Sequence, residues 1–133
     1  MAKGETFSCS VITPERKLLE VNATFVALPA HDGEMGVLVN RAPLVCKLGI
    51  GVLRIETPAG KHVLYIDDGF AQVVDNRVTI LTEEARPASE INTKEAEEAL
   101  AAARTAGFMD ETTYLARDRA VRRAKTQLKL VGK

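Results

Sequence analysis

Residues 60–100 read GKHVLYIDDGFAQVVDNRVTILTEEARPASEINTKEAEEAL, and the change of pattern inside this stretch decides the fold. Its first part is rich in β-formers over residues 61–66, 70–74 and 77–81. Asp75-Asn76, both tolerant of positive φ, can close a hairpin in two residues, and Asp67-Asp68-Gly69 reads as a further reversal. Arg86-Pro87 then stops the last strand, because proline removes a ladder donor. Beyond it the pattern becomes helical. Asn92-x-x-Glu95 has the form of a capping box, and Ala96, Ala99, Leu100, Ala103 and Ala106 fall on one stripe of the helix that follows.

Working outward from that junction, both sides keep their own character. Phe7, Cys9 and Val11 alternate with Ser8 and Ser10, the period-two signature of a half-buried strand. Further short β-rich runs cover residues 24–28, 37–39 and 51–56, and Pro58-Ala59-Gly60 can close another hairpin. All five prolines and seven of the nine glycines lie within residues 1–87, whereas ten alanines crowd into residues 88–133. Residues 1–87 therefore read as an antiparallel β-sandwich or barrel, and residues 88–133 as a helical hairpin. Gly107 sits at the expected C-cap of the first helix and Asp110 at the N-cap of the second. In the second helix Leu115, Val121, Ala124, Leu128 and Val131 make the apolar stripe, flanked by Ala116 and Ala120. Helices joined by about four residues run antiparallel. An alanine seam buries little area, since each buried CH₂ contributes only ~0.8 kcal/mol, so the hairpin is expected to be weakly held and able to open.

The chain has 133 residues, 46% apolar and 27% charged, with 18 basic against 18 acidic side chains. That balance argues against a nucleic-acid backbone as the main partner, which calls for a basic excess. No apolar run is long enough for a membrane-spanning helix, and Met1-Ala2-Lys3-Gly4-Glu5 lacks the apolar core of a signal peptide, so a cytoplasmic location is expected. Cys9 and Cys46 have no metal-ligand spacing and read as reduced, buried thiols. His31 and His62 belong to no metal or triad motif. Gly33-x-x-Gly36 lacks the Lys-Ser/Thr of a phosphate loop, and Asp67-Asp68-Gly69 lacks the ligand spacing of a calcium loop. With no activated nucleophile or acid/base pair in view, a binding or regulatory module is a better class than an enzyme, and neither a metal nor a cofactor is implied.

The neutral sum hides a split. Residues 88–112 carry two basic and six acidic side chains, and residues 113–133 carry seven basic and one acidic. Arg117, Arg119, Arg122, Arg123, Lys125 and Lys129 make a basic last helix opposed only by Asp118. One reading is a solvated face, neutralised by an Asp118–Arg122 pair and by Glu90, Glu95, Glu97 and Glu98 of the acidic first helix. The sharper reading is that these charges meet an acidic partner when the helix is released. An anionic membrane fits less well, because the apolar face is mostly alanine.

Several short stretches occur in a telling order: Asp32-Gly33-Glu34-Met35-Gly36-Val37-Leu38, Ala42-Pro43-Leu44, Gly51-Val52-Leu53-Arg54-Ile55, Asp68-Gly69-Phe70-Ala71 and Asn76-Arg77-Val78-Thr79-Ile80-Leu81. With the helical tail, they make the whole chain resemble the epsilon subunit of bacterial F-type ATP synthases. The resemblance implies about ten β-strands in a sandwich and a C-terminal helical hairpin. It further implies a non-catalytic rotor subunit in the central stalk, bound to the gamma subunit and the c-ring, peripheral on the cytoplasmic face of the inner (plasma) membrane. In many such subunits the extended helices reach the alpha and beta subunits and restrain ATP hydrolysis.

On the same resemblance, the loop facing the c-ring holds Glu34, Arg41 and Pro43, with Asn40-Arg41-Ala42-Pro43 where the family has Gly-His-x-Pro. The family's regulatory ATP motif, Ile-Asp-x-x-Arg-Ala, corresponds to Ile91, Asn92, Glu95 and Ala96 with the intervening pair, and Arg123 matches a basic position of that site. Asn92 replaces the acid, Glu95 replaces the arginine and would repel phosphate, and Gln127 replaces a second basic residue. Nucleotide sensing is therefore not expected here. An alternative to the rotor reading is a stand-alone β-sandwich adaptor whose basic helix docks on an acidic protein.

Overall fold

The computed structural model describes residues 5–105 and 111–131. Seven strands come first: β1 Phe7–Ile12, β2 Lys17–Ala23, β3 Phe25–Ala30, β4 Gly33–Val37, β5 Leu44–Thr57, β6 Gly60–Val74 and β7 Arg77–Pro87. One 3-10 turn, Ala88–Glu90, leads into α1 Thr93–Thr105 and α2 Glu111–Val131. The strands form a continuous ladder in the order β2-β1-β7-β6-β5-β3-β4, antiparallel throughout except for β1 beside β7.

The three long strands each change their inward face partway along. In β5 the core receives Leu44, Cys46 and Leu48, then Leu53 and Ile55. In β6 it receives Leu64 and Ile66, then Ala71 and Val73; in β7, Val78 and Ile80, then Ala85. Side chains alternate strictly along a regular strand, so an even set can give way to an odd one only where the pleat is interrupted. In β6 the interruption is explicit, with Asp68 at φ 56° and Gly69 at φ 135°. At such breaks a strand bends from one layer to the other, and the two layers enclose a single core. Counting β5, β6 and β7 once per layer reconciles seven continuous strands with the expected ten.

Both expected hairpin turns form. Val74 pairs with Arg77 across Asp75-Asn76, and Thr57 pairs with Gly60 across Pro58-Ala59. The left-handed φ of Asp75 and Asn76, 49° and 58°, is what a two-residue turn of this hand requires. The reversal expected at Asp67-Asp68-Gly69 does not occur: β6 continues past it as one strand, bent at Asp68-Gly69. The local signal was that of an irregular backbone, and the chain uses it for a kink. β2 escapes a sequence reading because Lys17, Glu20 and Asn22 break its apolar run, and the strand expected over residues 37–39 lies instead at Gly33–Val37.

In the helical part, Asn92 caps α1 as expected, its side-chain Oδ1 accepting the Glu95 N–H at 3.0 Å. Ala96, Ala103 and Ala124 are buried, but Ala99 is exposed, and Leu115 is 50% exposed rather than part of the apolar stripe. Leu130, outside that stripe, is buried in its place. Ala106, Gly107 and Asp110 lie outside the described residues, as does the Val131 side chain. Cys9 is buried, whereas Cys46 is only partly so, contrary to the expectation of two buried thiols.

Candidate functional site: the hairpin seam and the edge loop

The helices meet the sandwich over a small apolar contact. Tyr65 of β6, Ile91 and Leu130 form a cluster of their own, packed against Ile50, Val52 and Val63 on the outer side of the sheet. Ile91 precedes α1 and Leu130 ends α2. At the other end of the pair, Arg117 of α2 donates to the Arg104 carbonyl in the last turn of α1 at 3.1 Å. These two contacts fix the helices as antiparallel. Burial and the Asp67 and Glu84 carboxylates push the Tyr65 phenol well above its ordinary value, while Gln127 and Arg123 act in the opposite direction.

Beside this cluster lies a polar seam absent from the sequence reading. Arg123 Nε donates to Asp67 Oδ2 at 2.6 Å, and Arg119 bonds to the Asp68 carboxylate and also faces Asp67 Oδ1 at 3.8 Å. Asp67 is only 14% exposed. The basic helix was expected to lie against the acid-rich first helix; Arg119 and Arg123 are instead directed at the sandwich. The expected Asp118–Arg122 pair forms within α2 at 3.4 Å, with both groups largely exposed. Lys125 and Lys129 face solvent. The signal for the seam lay in the two consecutive acids of β6, read as turn formers because their partners are more than fifty residues away.

The residues of the expected c-ring loop are not all brought together. Glu34 stands near the start of β4, where Arg54 reaches it at 3.4 Å on the surface. Arg41 and Pro43 follow the far end of β4 and are exposed. Glu34 to Val37 already spans roughly 10 Å along the strand. Asn40, at φ 65°, ties this second segment to the β6–β7 turn: its backbone N–H donates to Asn76 Oδ1 at 2.6 Å, and Asn76 Nδ2 donates to Asn40 Oδ1 at 3.0 Å.

The residues compared with the ATP motif have structural partners. Ile91 is core, Asn92 is the cap, Glu95 is exposed in the first turn of α1, Ala96 lies in the buried seam and Arg123 is bonded to Asp67. His31 and His62 are exposed, and among the described residues no group of His, Cys, Asp or Glu is placed to hold a metal ion. Outward-facing Val45, Phe70 and Leu81 add an exposed apolar strip, with Phe70 directly opposite Leu81 in the ladder.

Residues 6–88 match the family model described as the ATP synthase delta/epsilon chain β-sandwich domain. The chain is 45% identical over 121 residues to the ATP synthase epsilon chain of Rhodopirellula baltica, covering 91% of this chain and 94% of the relative. To the epsilon chain of Rubrobacter xylanophilus it is 38% identical over 134 aligned positions, covering 97% and 92%. Its fold is similar to a chain in the Euglena gracilis mitochondrial ATP synthase complex of OSCP, F1 and c-ring, with a TM-score of 0.82 and 27% identity over 95% of this chain and 83% of that one. A sandwich with its own core, a docked hairpin and this likeness along nearly the whole chain lead to one conclusion: the protein belongs to the ATP synthase epsilon-chain family.

Proposed function

We propose that the sandwich, residues 1–87, seats this non-catalytic subunit in the central stalk of a rotary ATP synthase, and that the hairpin, residues 88–133, regulates ATP hydrolysis by leaving the sandwich. The single observation that carries the division of labour is the disparity between two interfaces. The sandwich encloses an extensive apolar core, whereas the helices are attached by Tyr65, Ile91 and Leu130 and a seam of ion pairs. A small contact of this kind opens without unfolding the larger part.

The partners are those of the family: the gamma subunit and c-ring below the catalytic head, and the alpha and beta subunits for the released helices. The strip of Val45, Phe70 and Leu81 is the kind of surface a stalk partner covers. Glu34 is the acidic contact offered to the polar loops of the c-ring. Arg41 and Pro43, at the other end of β4, belong to a separate contact. In this reading the chain sits at the cytoplasmic face of the membrane, held there only through the complex. The basic side chains of α2 are the part offered to an acidic surface of beta. ATP is not expected as a ligand on this reading, since Glu95, exposed in the first turn of α1, stands where the family motif has its arginine.

ATPase activity of the assembled catalytic complex, with the full chain and with the 1–87 truncation, tests this. Inhibition by the full chain and none by the truncation is the expected result. Equal activity with both bound forms overturns the regulatory role and leaves a structural coupler.

A further inference from the structure

We propose that Asp67 and Asp68 of β6 and Arg119 and Arg123 of α2 form an ionic latch that holds the hairpin on the sandwich, so that opening this latch sets the share of chains whose last helix is free. The inference rests on the hairpin reading above and names its restraint. In a regular strand, consecutive residues point to opposite faces, and two adjacent aspartates could not both meet one helix. The kink makes it possible. Asp68 at φ 56° and Gly69 at φ 135° break the pleat, and both carboxylates reach α2. On the helix side, Arg119 and Arg123 are four residues apart and share a face, so two successive strand residues find two successive turns of helix.

The kink is built rather than incidental. Thr82, buried in β7, donates its hydroxyl to the Asp68 carbonyl at 2.6 Å, with the Asp67 and Glu84 carbonyls at 3.2 and 3.1 Å. A Cβ at Gly69 would stand 2.0 Å from the Leu81 carbonyl oxygen. Thr82 and Gly69 are thus positioning residues for the acid pair. Because Asp67 is mostly buried and Arg123 meets it at 2.6 Å, the pair is stronger than a solvated surface contact.

The latch gives Arg123 two opposed uses. Docked, it holds the helix down; released, it adds to the charge offered to beta. Asp67 acts only in the docked state, so Asp67→Asn isolates the latch. Amide hydrogen exchange of residues 114–131 in the isolated full chain is the readout. With D67N, and separately with R119Q/R123Q, which cannot disturb the sandwich core, exchange of α2 is expected to accelerate by roughly tenfold or more while β1 and β7 keep their protection. Exchanging the charges, Asp67→Arg with Arg123→Asp, should bring it back toward the wild-type rate. Unchanged exchange in the R119Q/R123Q chain overturns the latch, whatever the ATPase shows. Faster exchange in D67N with unaltered inhibition in the assembled complex leaves the latch standing and overturns the regulatory reading instead.

Discussion

Gly69 and Gly33 have nearly the same left-handed φ, 135° and 141°, and only one of them is indispensable. A side chain at Gly33 meets nothing within 4 Å, whereas at Gly69 it would collide with the β7 backbone. Gly69→Ala should therefore lower unfolding stability by at least ~2 kcal/mol, and Gly33→Ala by about 1 kcal/mol, in urea titrations. Cys9 tests burial in another way. Its thiol is raised from 9.0 to about 12 by desolvation. The folded chain thus keeps its proton where the unfolded chain loses it, and stability is fully present below about pH 9 and declines as pH rises from there toward 12. Tyr65, also raised, adds to the loss at higher pH. Cys9→Ala should lower the baseline stability but flatten the first part of this alkaline decline. Such residue-scale facts were half legible: the alternation of Phe7, Cys9 and Val11 announced the burial of Cys9, but Gly69 was read as a turn because its collision partner is in another strand.

At the scale of elements, caps and hairpin turns follow from neighbours in sequence. Asn92→Ala should weaken the first turn of α1 by about 1 kcal/mol, seen as faster exchange at residues 95–96, and Asn92→Asp should restore it. α2 was legible as a helix but not in its orientation. Leu115 and Leu130 are equally apolar, yet one is exposed and the other buried: the contacts of α2 with β6 run from Arg119 to Leu130, and Leu115 precedes them. Leu130→Ala should cost about 2–3 kcal/mol of hairpin docking, measured as a proteolytic sensitivity of α2 that β1 to β7 do not share. β2 was not legible at all, since a strand at the margin of a sheet need not alternate.

For the whole molecule, the two interfaces differ enough to predict separable behaviour. The 1–87 truncation should fold cooperatively, with melting temperature lowered only modestly, because the core of both layers is intact. Failure to show a cooperative transition would mean that the helices are part of the core. Removing them uncovers Tyr65, Val52 and Val63, so the truncation should also bind a hydrophobic dye more strongly than the full chain.

Local order was enough for much of this. Alternating Phe7, Cys9 and Val11, the Asp75-Asn76 turn, the stop at Pro87 and the cap at Asn92 all depend on interactions within a few residues, and a sequence displays those directly. The charge split between α1 and α2 was equally plain. What the arginines do was not. Arg123 meets Asp67 rather than the acids of α1 because a kink in β6, held by Thr82 of β7, turns two neighbouring carboxylates toward one helix. That arrangement joins three segments far apart in the chain, and no local pattern encodes which charges will share a face once the sheet has folded over its core.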